Sequence, residues 1–184
     1  GLVLARKGEI SEAVDAFRKA IDQRRGSNPE SYYELGKTLF QIGQTEDAIK
    51  ALQKAIELNP NLAEAYTALA ELNLKVTPID IEESILLATI ATKINPDNFG
   101  ARRILARIHT VKSQITNEKP EPVSTQKAIQ EWKEIARLDP RNAEAWAFLS
   151  LFYGRQNKND ERIEALKKWG ASAAPIDTGF YRTM

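Results

Sequence analysis

Two stretches of this chain say nearly the same thing. "LNPNLAEAY" runs from Leu58 to Tyr66, and "LDPRNAEAW" runs from Leu138 to Trp146. Self-similarity of this kind constrains a fold more than local propensity does, because each copy must solve the same packing problem with the same residues. Further copies exist. "AIELNP" (Ala55–Pro60) recurs as "ATKINP" (Ala91–Pro96) and, more loosely, as "IARLDP" (Ile135–Pro140). The steps between these prolines are 36 and 44 residues, and Pro29 lies 31 residues before Pro60. A basic period in the thirties with variable insertions accounts for the set.

The clearest unit spans 29–62. In its first half, Tyr32, Leu35, Gly36 and Leu39 fall at i, i+3, i+4 and i+7, one stripe of an α-helix. Gly43 marks a turn. In the second half, Ala48, Leu52 and Ala55 form another helical stripe, with Thr45 placed as its N-cap. Asn59-Pro60 ends that helix, because proline disfavours helical geometry in the residue before it. Small residues at 36, 48 and 55 allow two helix backbones to approach, and Leu35, Leu39 and Leu52 interlock beside them. The quoted junctions are therefore places where the chain leaves one helical hairpin and enters the next.

This pattern resembles the tetratricopeptide repeat (TPR), a helix–turn–helix of about 34 residues. Tyr32, Leu35-Gly36, Leu39, Ala48, Leu52, Ala55 and Pro60 carry the resemblance. The fold it implies is all-α: an α-α superhelix, a right-handed solenoid of about five hairpins. The expected array covers 1–172, with a partial repeat over 1–28 and full ones over 29–62, 63–98, 99–142 and 143–172. A polar insertion at 113–126 reads as a surface loop, and 173–184 is a tail that matches no repeat position.

The other units fit less closely. In the first, Gly1 and Leu4 match the end of a leading helix, followed by Ala13, Phe17 and Ala20. The third has Tyr66, Leu69 and Ala70, then Ser84, Ala88 and Ala91 after a capping box at Asp80–Glu83, with Pro96 closing it. The fourth has Arg102, Leu105, Ala106 and His109, then Ala128, Trp132, Ile135 and Pro140. The fifth opens with Trp146, Leu149, Ser150 and Tyr153, and its second stripe is Arg162, Leu166 and Trp169.

In the TPR family the first helix of each repeat lines a concave face that takes peptides or partner helices. Carried over by position, this implies a partner-binding surface at Tyr33, Lys37, Phe40, Thr67, Glu71, Leu74, Arg103, Arg107, Phe148 and Leu151. It mixes aromatic and apolar groups with cations, so Arg103 or Arg107 could pair a partner's carboxylate. The subfamily that clamps a C-terminal carboxylate with Lys and Asn is not matched. The corresponding positions hold Tyr33, Lys37, Ala68, Gly100 and Ile104, without the two asparagines.

Chemistry finds little support. The chain lacks Cys, and its single His, His109, sits on a packing stripe, so no zinc set can be assembled. Asp80, Glu82 and Glu83 fit a helix start, where negative charge is favourable. No phosphate-cradling glycine loop appears. We expect no enzyme activity, no metal and no cofactor. Net charge is +1 in 184 residues, which argues against nucleic acid despite a local patch at Arg102, Arg103, Arg107, His109 and Lys112. The most apolar run, Ile85–Ala91, is too short for membrane insertion. The chain opens at Gly1, so the lack of a signal peptide leaves the compartment undetermined. The expected partner is a protein or peptide. Two alternatives accompany it: a scaffold that self-assembles into a homo-oligomer through uncapped repeat ends at Val3, Leu4 and Phe17, and a regulatory segment of a larger enzyme-containing protein.

Overall fold

The computed structural model describes residues 10–23, 27–77, 79–115 and 122–172. Among these, all regular structure is helical. The elements are α1 (Ile10–Gln23), α2 (Pro29–Gln41), α3 (Thr45–Leu58), α4 (Ala63–Asn73), α5 (Ile81–Ile94), α6 (Phe99–Ile115), α7 (Pro122–Leu138), α8 (Ala143–Arg155) and α9 (Asn159–Ser172). They form two compact units, and the boundary falls after Ile104, inside α6.

In the first unit α2 packs on α3 and α4 on α5. Asn28 caps α2, its Oδ1 accepting the Ser31 N–H at 3.0 Å, and Pro29 occupies the first turn, where a missing N–H costs nothing. The α2–α3 turn is a Schellman closure. Gly43 has φ +79°, its N–H donates to the Phe40 carbonyl, and the Gln44 N–H donates to the Leu39 carbonyl. The same turn moves the start of α3. Because the Gln44 carbonyl already accepts the Ala48 N–H at 3.0 Å, Gln44 is the cap and Thr45 is the first helical residue, so α3 starts one residue earlier than expected.

The close helix–helix approach has a measurable cause. A Cβ built on Gly36 would lie 2.7 Å from Leu52 Cγ and 3.1 Å from the Ala48 carbonyl oxygen. Leu52 fills the space that the absent Cβ leaves, and Leu35, Leu39, Ala48, Leu52 and Ala55 are all buried. A leucine so enclosed contributes roughly 1.5–3 kcal/mol.

The three Asx-Pro junctions share one geometry. Asn59, Asn95 and Asp139 each donate a backbone N–H to the carbonyl four residues back, closing α3, α5 and α7. Each side-chain oxygen then turns forward and accepts the N–H two residues on, at 3.0, 3.0 and 3.1 Å. Proline fits between because it has no N–H to satisfy and its fixed φ suits the turn. The next helix is capped by Asn98 or Asn142, through the N–H of Ala101 or Ala145. At the first junction Leu62 occupies that place without a side-chain cap. Asp80 caps α5 through the Glu83 N–H at 2.9 Å.

In the second unit α8 packs on α7 and α9. Trp132 is fully enclosed and its indole N–H donates to Thr110 Oγ1 at 3.0 Å. Ile135, Leu149 and Phe152 complete that core, and His109 of α6 is also buried. The stretch 113–126 is not a surface loop throughout. Helix α6 continues to Ile115 and α7 starts at Pro122, while Ser113 and Ser124 are buried. Ser113 tolerates burial because its hydroxyl donates to the Thr110 carbonyl at 2.6 Å.

The second stripe of the last hairpin also differs from expectation. Arg162 and Leu166 are exposed, and the buried residue of α9 is Ala165. Arg162 lies against Gly154 of α8, its Nε, Cδ and Cζ 3.2–3.3 Å from where a Cβ would stand, and Ala165 is the α9 side chain that is buried. Gly1, Val3, Leu4 and the segment 173–184 lie outside the described residues.

Candidate functional site

The expected surface residues fall on both units. Tyr33, Lys37, Phe40, Thr67, Glu71, Leu74 and Arg103 belong to the first, and Arg107, Phe148 and Leu151 to the second.

In the first unit α2 and α4 present a strip built on two aromatic rings. Lys37 Nζ stands 4.7 Å from the Tyr33 ring centroid, one turn along the same helix. Its ammonium also bonds the Glu34 carboxylate at 3.2 and 3.3 Å. Burial works against the Lys37 charge, but Tyr33 and Glu34 together outweigh it and hold the pKa above its ordinary value. Phe40 is matched across helices, with Lys75 Nζ 5.0 Å from its centroid. Lys75 in turn bonds Glu71 at 2.9 Å, one turn back. So Tyr33, Lys37, Phe40 and Glu71 share a side with Lys75, which sequence reasoning missed. The i, i+4 Glu71–Lys75 spacing is the signal that would have found it. Leu74 closes α4 and is half-buried.

Thr67 is engaged inside the fold. Its hydroxyl donates to the Ala63 carbonyl at 3.0 Å, and its methyl would stand 2.9 Å from a Cβ on Gly100. Gly100 therefore lets the start of α6 close on α4, and its lack of a side chain is a packing requirement. Arg103 is exposed on α6.

In the second unit Arg107 is matched with Glu144 of α8, its Nε and Nη2 donating to one carboxylate oxygen at 2.9 and 2.7 Å. Phe148 is half-buried and stacks on Trp132, with centroids 4.7 Å apart and planes 15° from parallel. Leu151 is exposed. Among the described residues no group of His, Cys, Asp and Glu could hold a metal ion, and no helix is long and apolar enough to cross a membrane.

A family model described as a TPR repeat matches residues 36–76, from Gly36 of α2 to just past α4. The crystal structure of MamA superposes with a TM-score of 0.67 at 24% identity, covering 90% of this chain and 90% of that one. The chain thus carries a TPR repeat at 36–76. Its fold is all-α, of the TPR α-solenoid class. YrrB, described as a TPR protein with an unusual peptide-binding site, superposes with a TM-score of 0.66 at 15% identity, over 97% of this chain and 86% of that one. Among curated relatives, the BBSome complex member bbs-4 of Caenorhabditis elegans is 28% identical over 171 residues. That match covers 88% of this chain but only 34% of the relative's own length. The CTR9 homolog of Arabidopsis thaliana is 35% identical over 72 residues, 39% of this chain and 6% of that protein.

Proposed function

We propose that this TPR array is a non-catalytic interaction module whose first-helix face binds a polypeptide of a partner protein. The single observation that carries the reading is the aromatic strip of the first unit. Tyr33 and Phe40 are neither buried in the core nor bare in water; each lies under a lysine ammonium that a partner group can replace. Exposed cation–π contacts are worth about 0.5–1 kcal/mol, so little is lost when a ligand's own side chain covers the ring. A partner segment with apolar side chains for the two rings and carboxylates for Lys37 and Lys75 fits this chemistry. YrrB, similar in fold and described as peptide-binding, supports the reading.

Screening a displayed peptide library against the parent protein and the double variant Tyr33→Ala/Phe40→Ala tests it. The parent should enrich a family of sequences that the variant releases. Equal enrichment by both would remove the strip from the account.

A second reading has its own observation. On α9, Ile163 is 50% exposed and Leu166 39% exposed. Apolar groups clustered on one side of a helix favour contact with another molecule, and self-assembly through this helix accommodates them. Light scattering across a concentration series distinguishes it: Ile163→Glu should abolish any growth in mass that the parent shows.

A further inference from the structure

The second unit carries a groove that lies apart from the strip just described. Its main cavity, about 670 Å³, is bounded by α7, α8 and α9. Ala136 of α7 and Ala165 of α9 face the space, and small side chains there leave the two helices unbridged. The floor belongs to α8: Trp146, Leu149 and Tyr153.

The cavity continues at both ends. A neighbouring one of about 320 Å³ shares Lys133 and Tyr153 with it and adds the amides of Gln126, Gln130 and Gln156. Another of about 420 Å³ shares Pro140 and Lys168 and reaches Ser172 at the end of α9. A chain of three cavities with shared walls suits an elongated guest better than a compact one. Glutamine side chains, each both donor and acceptor, suit a polypeptide backbone.

The walls differ in charge. On α7, Lys133 and Arg137 stand one turn apart, and Arg137 Nε donates to the Glu134 carboxylate at 2.9 Å. On α9, Glu161 and Glu164 face the same space, while Lys168 is drawn to Glu164 at 2.8 Å and lies 4.5 Å over the Trp146 ring. Lys133 sits over Tyr153 at 5.9 Å. Both aromatic faces are thus covered by a cation that a guest can displace, held by Glu164 in the case of Lys168. The Trp146 indole N–H is fixed by the Pro140 carbonyl at 2.8 Å, so the ring is held in place before any guest arrives.

We infer that this groove binds an extended polypeptide segment of a partner protein, with an apolar anchor over Trp146, a carboxylate-bearing flank toward α7 and a cationic flank toward α9. Charge complementarity of the two walls decides the orientation across the groove.

The test uses the full chain, isotope-labelled, and capped heptapeptides with a central Leu or Trp, a Glu-Glu pair on one flank and a Lys-Arg pair on the other. Matched peptides carry Ser at every charged place. The doubly charged peptides should shift amide resonances of α7, α8 and α9, and the Ser peptides should bind about tenfold more weakly. Lys133→Glu/Arg137→Glu, at two exposed positions, should weaken the binding read at α7–α9 by a similar factor, whereas Tyr33→Ala/Phe40→Ala should alter shifts at α2 and α4 alone and leave those of α7–α9 unchanged. Failure of the strip would therefore not count against the groove. Shifts confined to α2 and α4, or undiminished binding by the charge-reversed variant, would overturn the proposal. Two other occupants would overturn it as well. A second copy would shift α7–α9 resonances with protein concentration alone, and residues 173–184 would do so if their deletion moved those resonances without peptide.

Discussion

The hairpins α2–α3 and α8–α9 share a turn and differ in how they close. Gly43 and Asn157 both adopt left-handed backbone, with φ of 79° and 57°. In each turn the next residue's N–H reaches back to the helix, to Leu39 or to Tyr153. Beyond the turn the likeness ends. Gly36 and Ala48 of the first hairpin correspond to Ser150 and Arg162 of the last. Helix α3 buries Ala48, Ala51, Leu52 and Ala55, whereas α9 buries Ala165. A turn therefore specifies that two helices fold back, and the small residues facing each other specify how tightly. Helix α3 is packed by α4 as well as α2, whereas among the described residues α9 packs on α8 alone and keeps an exposed apolar outer side.

The sharpest way to break this comparison uses two leucines at matching positions. Leu52 is 1% exposed and Leu166 is 39% exposed. Leu52→Ala should cost about 2–5 kcal/mol in urea denaturation followed by circular dichroism. Leu166→Ala should cost less than about 1 kcal/mol. Similar losses would mean that the two hairpins close alike. A smaller effect comes from the glycine beneath Leu52. Gly36→Ala must displace Leu52 or the α3 backbone and should cost about 1–3 kcal/mol. Ser150→Ala, which gives up a hydrogen bond to the Ala147 carbonyl on its own helix, should cost about 1 kcal/mol or less.

The turns themselves supply the next step down. Gly43→Ala forces a Cβ into left-handed backbone and should cost about 1–2 kcal/mol. Asn157→Gly relieves the same conformation and should change stability by less than about 1 kcal/mol in the favourable direction. Hydrogen exchange at Gln44 and Lys158 reports each turn separately.

The sequence made the helical pairs legible wherever packing residues recur: Leu35, Gly36, Leu52 and the Asx-Pro closures follow from spacing alone. It was less informative where a single position breaks the pattern. Arg162 stands at a repeat position that takes a small residue, and periodicity cannot foresee that its side chain will lie along Gly154 of α8. Buried serines at 113 and 124 look like loop residues, and the bond from the Ser113 hydroxyl to the Thr110 carbonyl is invisible in one dimension. The surface was legible as a list of outward positions, not as an arrangement. Thr67 is held by Gly100 and Arg107 by Glu144, and both matches depend on distances between helices. Lys75 was overlooked because its role depends on Phe40, a residue on another helix.

The smallest expected effect separates the two units by pH. In the first, the folded chain holds Lys37 above its ordinary pKa of 10.5, since Tyr33 and Glu34 outweigh the opposing effect of burial. That contribution is complete below the unfolded value and fades as pH rises through the folded one. In the second, the hydrogen bond from Lys168 holds Glu164 below its ordinary 4.5. Its contribution is complete above the unfolded value and fades as pH falls through the folded one. Lys37→Met should therefore differ from the parent at neutral pH and converge with it in strong alkali, whereas Glu164→Gln should converge in acid. Both side chains are accessible to solvent, so the differences in urea midpoint are small and shrink with added salt. Convergence of both variants at the same end of the scale would contradict the two pairings. A difference for Glu164→Gln that persists in acid would show that α9 is held by something other than its Lys168 pair.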